Sequence, residues 1–229
     1  MKSTLSRGFS HFSKEQLALL RSLRTPRRIQ DFLDYELEYN DETDGSCLSP
    51  LEVLKRRKAH CIEGAMLAAA AFLMNGRPGF LLDLRADRTD DDHVIAPFLE
   101  NGKWGAIGQS HFCGLRFREP IYSSTAELAK SYFEFYYGDY GKKTLREFSV
   151  PLDVSGLKAE WLYSEKHVFF VSKKLDALKH YRILGKYQDK KLRRADSLLY
   201  EAELVGAVKK PLTLRRAKPY SKLAKPHKH

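Results

Sequence analysis

The sequence predicts an α+β fold in which one buried helix packs on a small antiparallel sheet and further helices flank this core. The helix prediction comes from residues 59–75, AHCIEGAMLAAAAFLMN, which are apolar on nearly every side. A helix without a polar face lies inside a protein. The sheet prediction comes from three short apolar runs after this segment, which are separated by turn residues as in antiparallel strands.

Helices are also predicted before the buried segment. An apolar stripe over residues 12–23 indicates one of them. The Thr-Pro pair at 25–26 and the Ser-Pro pair at 49–50 are each typical of an N-cap followed by proline in the first helical turn. A polar loop with a glycine turn separates the two helices that these pairs begin.

The three strands are predicted at 79–84, 93–99 and 103–107. An Asn-Gly turn between the last two indicates a hairpin. Residues 125–137 and 157–205 show apolar positions at roughly helical spacing, so both segments are expected to be mainly helical.

Domain organisation and charge are linked in this chain. We expect one domain over residues 1–207, with its core at about 25–150 and a helical part at about 157–207, followed by a basic flexible tail over 208–229. The stretch 209–229 contributes eight Lys and Arg and no acid, so most of the net charge of +11 resides there. A solvated segment is the simpler interpretation, and a weak contact with RNA or another polyanion is the alternative.

Composition narrows the class of protein. No run of 18 residues lacks charge, so no membrane-spanning helix is expected, and no apolar run follows the first basic residues as it would in a secretory signal. Three cysteines are too few for a disulfide framework, which favours a reducing, cytoplasmic location. The sequence implies no cofactor and does not indicate an oligomeric state.

Cys61 and His93 are the candidate reactive pair. A thiol reacts as the thiolate, and a free thiol with a pKa of about 8.5 is mostly protonated at neutral pH. A helix N-terminus and a nearby imidazolium both lower that pKa. Cys61 lies in the first turn of the buried helix and His93 begins a following strand, so each is held by a rigid element and the thiol pKa is expected to fall.

Simpler interpretations stand beside this one. A single cysteine in an apolar helix is more often a packing residue than a nucleophile. Cys47 and Cys113 are interpreted as incidental, and His60 is expected to point away from Cys61 as a capping or surface residue. The acidic run 90–92 is interpreted as a solvated loop, because three consecutive acids do not converge on one cation. No metal site is predicted.

Four blocks of the sequence resemble the bacterial transglutaminase-like superfamily. They begin TPRRIQDFLDYELEYN, AHCIEGAMLAAAAFLMN, DDDHVIAPFLENGKWGAI and FREPIYSSTAELAKSYFEF, and together they cover roughly residues 25–150. The resemblance implies a papain-like core in which a Cys opens a buried helix, a His starts a strand, and an Asp follows a Trp on the next strand. The Cys, His and Trp map onto Cys61, His93 and Trp104.

The Asp has no equivalent, because the position four residues after Trp104 is Gly108. A neutral side chain is expected to orient the histidine instead, as an amide does in papain-like enzymes. Gln109 is the first candidate for this role, and Ser110 and His111 are the alternatives.

The resemblance implies acyl transfer on a peptide, a protein or a small amide. Cys61 is expected to attack the carbonyl, His93 to move the proton, and the thioester to pass to water or to an amine. The Cys61 N–H would stabilise the oxyanion, with Asn40 as the second donor. The alternative is a catalytically degenerate binding protein whose basic tail docks to an acidic partner or RNA.

Overall fold

A computed structural model of the chain describes residues 2–41 and 45–205. Its helices are α1 Lys2–Phe9, α2 Lys14–Ser22, α3 Pro26–Glu36, α4 Pro50–Arg56, α5 Cys61–Met74, α6 Thr125–Lys130, α7 Glu160–Tyr163, α8 Phe170–Asp176 and α9 Ser197–Leu204. Its strands are β1 Glu38–Tyr39, β2 Lys58–Ala59, β3 Phe80–Ala86, β4 His93–Glu100, β5 Lys103–Ile107, β6 Arg118–Tyr122, β7 Leu145–Ser149, β8 Leu152–Asp153 and β9 His180–Arg182. The α+β class is confirmed, and the expected basic tail at 208–229 lies outside the described residues.

The main sheet is antiparallel, with the strand order β6-β5-β4-β3-β7-β9, and β8 pairs with the end of β3 beside β7. The predicted hairpin is β4–β5, whose register pairs Glu100 with Lys103. β1 and β2 form a separate short parallel pair just before α5.

Helix α5 lies in the interior, as its sequence predicts. Each alanine from 68 to 71 is fully buried, as are Ala65, Met66 and Leu67. Small side chains let the helix pack closely against β4 on one side and against α2, α3 and α4 on the other. Successive side chains of β4 point to opposite faces of the sheet. Val94 and Ala96 face α5, while Ile95 joins the core on the other face.

The predicted caps form as hydrogen bonds. The Thr25 hydroxyl accepts from the Arg28 N–H at 3.3 Å, and the Ser49 hydroxyl accepts from the Glu52 N–H at 3.3 Å. In both helices proline occupies the first turn, where a missing N–H costs nothing. These caps set where α3 and α4, the last two helices before the buried one, begin.

The segment 157–205 is less helical than predicted. Helices α7, α8 and α9 are short, and β9 pairs with β7 between them. The sequence pattern also missed β6, REPIY, whose charged residues and proline are tolerated because it lies at the edge of the sheet. Within the described ranges, no helix combines the length and the apolarity needed to cross a membrane.

Leu67→Ala is expected to lower the free energy of unfolding by about 2–5 kcal/mol, because it opens a cavity at a fully buried position of α5. Leu99→Ala is the matched control. The Leu99 side chain is half exposed, so a change within about 0.5 kcal/mol is expected. Urea unfolding measures both, and equal effects would contradict the buried position of α5.

Candidate active site

The N-terminus of α5 places Cys61 on the wall of a cleft of about 550 Å³. Cys61 is the first residue of the helix, and its side chain is partly exposed. Two features favour the thiolate there, since the helix dipole is positive at this end and the first N–H groups of a helix have no intrahelical acceptor. Among the described residues, the Cys61 N–H donates to no other group.

A buried carboxylate fixes this end of the helix. Glu63 is fully buried and accepts hydrogen bonds from the N–H groups of His60 and Leu48, the Ser46 hydroxyl and the Asn40 amide, at 2.5–3.0 Å. Four donors compensate for the loss of water around the charge. Glu63 therefore joins Asn40, Ser46 and Leu48 to the first turn of α5.

The first residue of β4 is His93, whose side chain reaches the same cleft and is only 5% exposed. Its Nε2 lies 2.9 Å from the Leu115 carbonyl, in a 3₁₀ turn over Cys113–Leu115. A carbonyl can only accept, so Nε2 carries the proton. Nδ1 is then the ring nitrogen that remains for the thiol. Cys61 and His93 line the same cleft, and His93 is one of the groups that lower the pKa of Cys61.

Gly108 has no side chain, and this leaves room for the Leu115 carbonyl beside His93. A Cβ atom at position 108 would lie 2.8 Å from the Leu115 oxygen and 3.4 Å from His93 Nε2. This is the position at which the resemblance implies an Asp. In the structure, the partner of His93 Nε2 is a backbone carbonyl and not a side chain at position 108.

Gln109, the residue expected to orient His93, has another role. Its amide donates to the Leu33 carbonyl at 3.3 Å. The alternatives are also engaged elsewhere, because the Ser110 hydroxyl accepts from the Phe112 N–H and His111 bonds to Asp41 at 2.6 Å. The expectation that one of these three side chains orients His93 is corrected, since Leu115 already accepts from Nε2.

His60 caps α5, which is one of the two roles expected for it, but its ring does not point away from Cys61. It is the N-cap of α5 with extended backbone angles, and its Nδ1 lies 3.8 Å from the Cys61 sulfur. Its Nε2 lies 2.9 Å from the Ser46 carbonyl and 3.5 Å from a Glu63 oxygen. The thiol therefore has two imidazole neighbours, where the sequence indicated one.

The two histidines control ionisation of the thiol. Burial acts against the thiolate, but hydrogen bonds from His60 and His93, together with the charges of both rings, outweigh it and lower the pKa of Cys61 to about 5. Burial likewise acts against the charged form of His60, yet the hydrogen bond and charge of Cys61, with Glu63 and the Ser46 carbonyl, raise the pKa of His60 to about 9. A thiolate–imidazolium pair at neutral pH is the consequence.

Asn40 does not have a donor available for an oxyanion. Its amide nitrogen has two hydrogens, and these go to the Ser46 hydroxyl at 2.8 Å and to Glu63 at 3.0 Å. The expectation that Asn40 supplies the second oxyanion donor is therefore corrected. The Cys61 N–H remains as the donor at the helix end.

The pKa values of the other two thiols are raised and not lowered, which fits their interpretation as incidental residues. Burial and the charge of Glu63 raise the pKa of Cys47 to about 12. Partial burial and a hydrogen bond to Glu203 raise the pKa of Cys113. Of the three cysteines, Cys61 is the one whose pKa is lowered.

An acidic cluster beside the cleft could be mistaken for a metal site. Oxygens of Asp83, Asp92 and Asp176 lie within 4.8 Å of one another. Asp83 is already paired with His180 at 2.9 Å and lies 3.9 Å from Arg85. The Asp83 carboxylate is therefore already engaged by protein side chains.

The alkylation rate of Cys61 with iodoacetamide is expected to reach half of its maximum near pH 5, because the reagent reacts with the thiolate. His93→Ala and His60→Ala should each move this midpoint upward, since each removes a hydrogen bond and a positive charge. His11→Ala, a change of the same type outside the cleft, should leave it in place. Coincident curves for the parent and His93→Ala would show that the pair is uncoupled.

No protein-family model matches the sequence, and no curated protein matches it significantly. The resemblance to the transglutaminase-like superfamily therefore stays a prediction, and the function has to be inferred from the geometry of the Cys61 site.

Proposed function

We propose that the chain is a thiol-dependent acyl-transfer enzyme with a papain-like, transglutaminase-like core. The observation that carries this proposal is the position of Cys61, with a lowered pKa, at a helix N-terminus beside two histidines in an open cleft. A nucleophile in a cleft whose pKa is perturbed by specific neighbouring side chains is typical of an active site. The substrate is a peptide, a protein or a small amide.

The first half-reaction follows from the geometry. The Cys61 thiolate attacks the amide carbonyl carbon, and the oxygen becomes an oxyanion near the Cys61 N–H. As the C–N bond breaks, His93 transfers its Nδ1 proton to the leaving amine. The products are a free amine and a thioester on Cys61.

In the second half-reaction, water or an amine attacks the thioester carbonyl. Neutral His93 accepts a proton from the attacking molecule. The C–S bond breaks, and Cys61 leaves as the thiolate. The acyl group ends as a carboxylic acid or a new amide. His93 regains the proton on Nδ1 and keeps Nε2–H on the Leu115 carbonyl throughout.

The neutral carbonyl differs from the usual carboxylate in its effect on charge. It fixes the tautomer of His93 by a hydrogen bond, but it stabilises the imidazolium less than a carboxylate would. His60, with a raised pKa, supplies a second positive charge 3.8 Å from the sulfur. We infer that His60 is a positioning residue that keeps Cys61 ionised between turnovers.

The alternative is a non-catalytic binding protein that retains the fold. The glycine at position 108, where the resemblance implies an Asp, favours it. Its proposed partner is an acidic protein or RNA that docks to the basic tail. This alternative predicts a reactive thiol that is acylated but does not turn over.

Reaction with p-nitrophenyl acetate separates the two candidates. The expected result is one acetyl group on Cys61, seen by mass spectrometry, followed by its hydrolysis. His93→Ala should slow the hydrolysis by roughly 10²- to 10⁴-fold, the usual contribution of a general base. His11→Ala, which changes a histidine outside the cleft, should leave both steps unchanged.

Two outcomes would contradict the enzyme proposal. If Cys61 is acetylated no faster than Cys113, the thiol is not activated. If the acetyl group forms on Cys61 but hydrolyses at the same rate in His93→Ala as in the parent, His93 is not the base, and the binding protein becomes the better account.

A further inference from the structure

The charge of the cleft differs from that of the chain. The protein has 40 Lys and Arg against 29 Asp and Glu. Among the described residues that line the Cys61 cleft there is no Lys or Arg, while four aspartates do line it: Asp41, Asp90, Asp91 and Asp92. His60 and His93 also line it, and the imidazolium of His60 offsets one of the four carboxylate charges. The aspartates still outnumber that charge, and an acidic cleft attracts cations.

Three of these aspartates already have partners. Asp41 bonds to His111 at 2.6 Å, Asp90 accepts from the Thr144 hydroxyl, and Asp92 accepts from the Ala86 N–H at 2.8 Å. The carboxylate of Asp91 differs, because it is exposed and makes no hydrogen bond or ion pair with any residue in 2–41 or 45–205.

The position of Asp91 is nevertheless fixed. The Tyr136 hydroxyl donates to the Asp91 carbonyl at 2.6 Å, and the Asp91 N–H donates to Asp90 at 2.9 Å. A charge without a partner, held by an anchored backbone beside the reactive pair, is available to a ligand.

Asn40 gives a second and independent indication. Its side chain is 3% exposed and lines the cleft, and its Oδ1 is a buried acceptor without a hydrogen-bond partner. The amide cannot be rotated to exchange the two atoms, because its nitrogen must donate to Glu63 and to Ser46, whose own proton goes to Glu63. A buried acceptor of this kind requires a donor, and a ligand N–H would supply it.

Aromatic rings complete the lining of the cleft. Within the described ranges the partly exposed ring of Phe112 has no ring or cation stacked on it, whereas Tyr39 lies against His111 and Phe135 lies 5.7 Å from the Arg118 guanidinium carbon. The negative face of an aromatic ring attracts cationic nitrogen groups. Carboxylates, an unsatisfied amide oxygen and aromatic rings are all complementary to one chemistry, a positively charged group that donates hydrogen bonds.

We propose that the cleft binds a cationic nitrogen group, an ammonium or a guanidinium, and so selects substrates that carry one close to the reacting amide. Asp91 provides the charge and Asn40 Oδ1 accepts one N–H. The term substrate rests on the proposed function, whereas binding of the cation does not.

The first experiment uses protection of Cys61 from iodoacetamide, a neutral probe, at pH 7. The competitors are butylamine, butylguanidine, butanol and butyrate, which share one chain length and differ in charge. Butylamine or butylguanidine should slow the alkylation of Cys61, and their relative effect identifies the preferred group. Butanol and butyrate should not slow it, and Cys113 serves as the internal control.

Asp91→Asn tests the residue itself, and it removes no contact within the described protein. It should weaken protection by the cationic competitor by roughly two- to fivefold, the size expected for one exposed charge pair. Glu201→Gln removes the same charge from an exposed position on α9 that does not line the cleft, and it should have no effect. The proposal would be overturned if Asp91→Asn leaves the protection of Cys61 unchanged or if Glu201→Gln weakens it equally. It would also be overturned if butyrate protects Cys61 as well as the cationic competitors do.

Binding of butylamine and butylguanidine to Cys61→Ala, measured by NMR shift perturbation, separates this inference from the enzyme proposal. Shifts at Asn40 and Asp91 are expected although the thiol is absent. If they appear while acetylation of Cys61 in the parent protein fails, cation binding stands and the enzyme proposal falls. If neither cation shifts these signals, the inference is wrong whatever the thiol does.

Discussion

The site depends on one hydrogen bond, from His93 Nε2 to the Leu115 carbonyl. It sets the tautomer of the ring and leaves Nδ1 for Cys61. The bond requires a residue without a side chain at position 108, since a Cβ there would lie 2.8 Å from the Leu115 oxygen. Gln30 holds this glycine in place, because its amide accepts from the Gly108 N–H at 3.1 Å and donates to the Gly108 carbonyl at 2.9 Å.

The turn that supplies the carbonyl is fixed from the C-terminal side of the fold. Glu203 on α9 is buried and accepts from the Gly114 N–H at 2.9 Å, one residue before Leu115. On the opposite wall of the cleft, Glu63 fixes the start of α5 and the loop before it. Two buried carboxylates therefore anchor the two backbone segments between which the thiol and the imidazole meet.

The sequence predicted what depends on hydrophobic pattern and residue type. The all-apolar run identified α5, and the Asn-Gly turn identified the β4–β5 hairpin. Cys61 and His93 became candidates because one begins a helix and the other begins a strand.

The orienting group could not be predicted, because a backbone carbonyl 22 residues from His93 has no signature in residue types. His60 was missed because helical geometry was assumed for it, whereas the N-cap has extended angles that place its ring near the sulfur. The spacing of His60 and Glu63, which resembles a capping box, was the available signal.

The central claim is that the Leu115 carbonyl holds a proton on His93 Nε2, and ¹⁵N NMR of the imidazole ring tests it most directly. The account predicts a protonated Nε2 at every pH from 6 to 10 in the parent protein. Gly108→Ala should lose this signature, because its Cβ displaces the carbonyl, while Gly156→Ala, at a position with open space, should keep it. A neutral ring in the parent with its proton on Nδ1 and none on Nε2 would contradict the account.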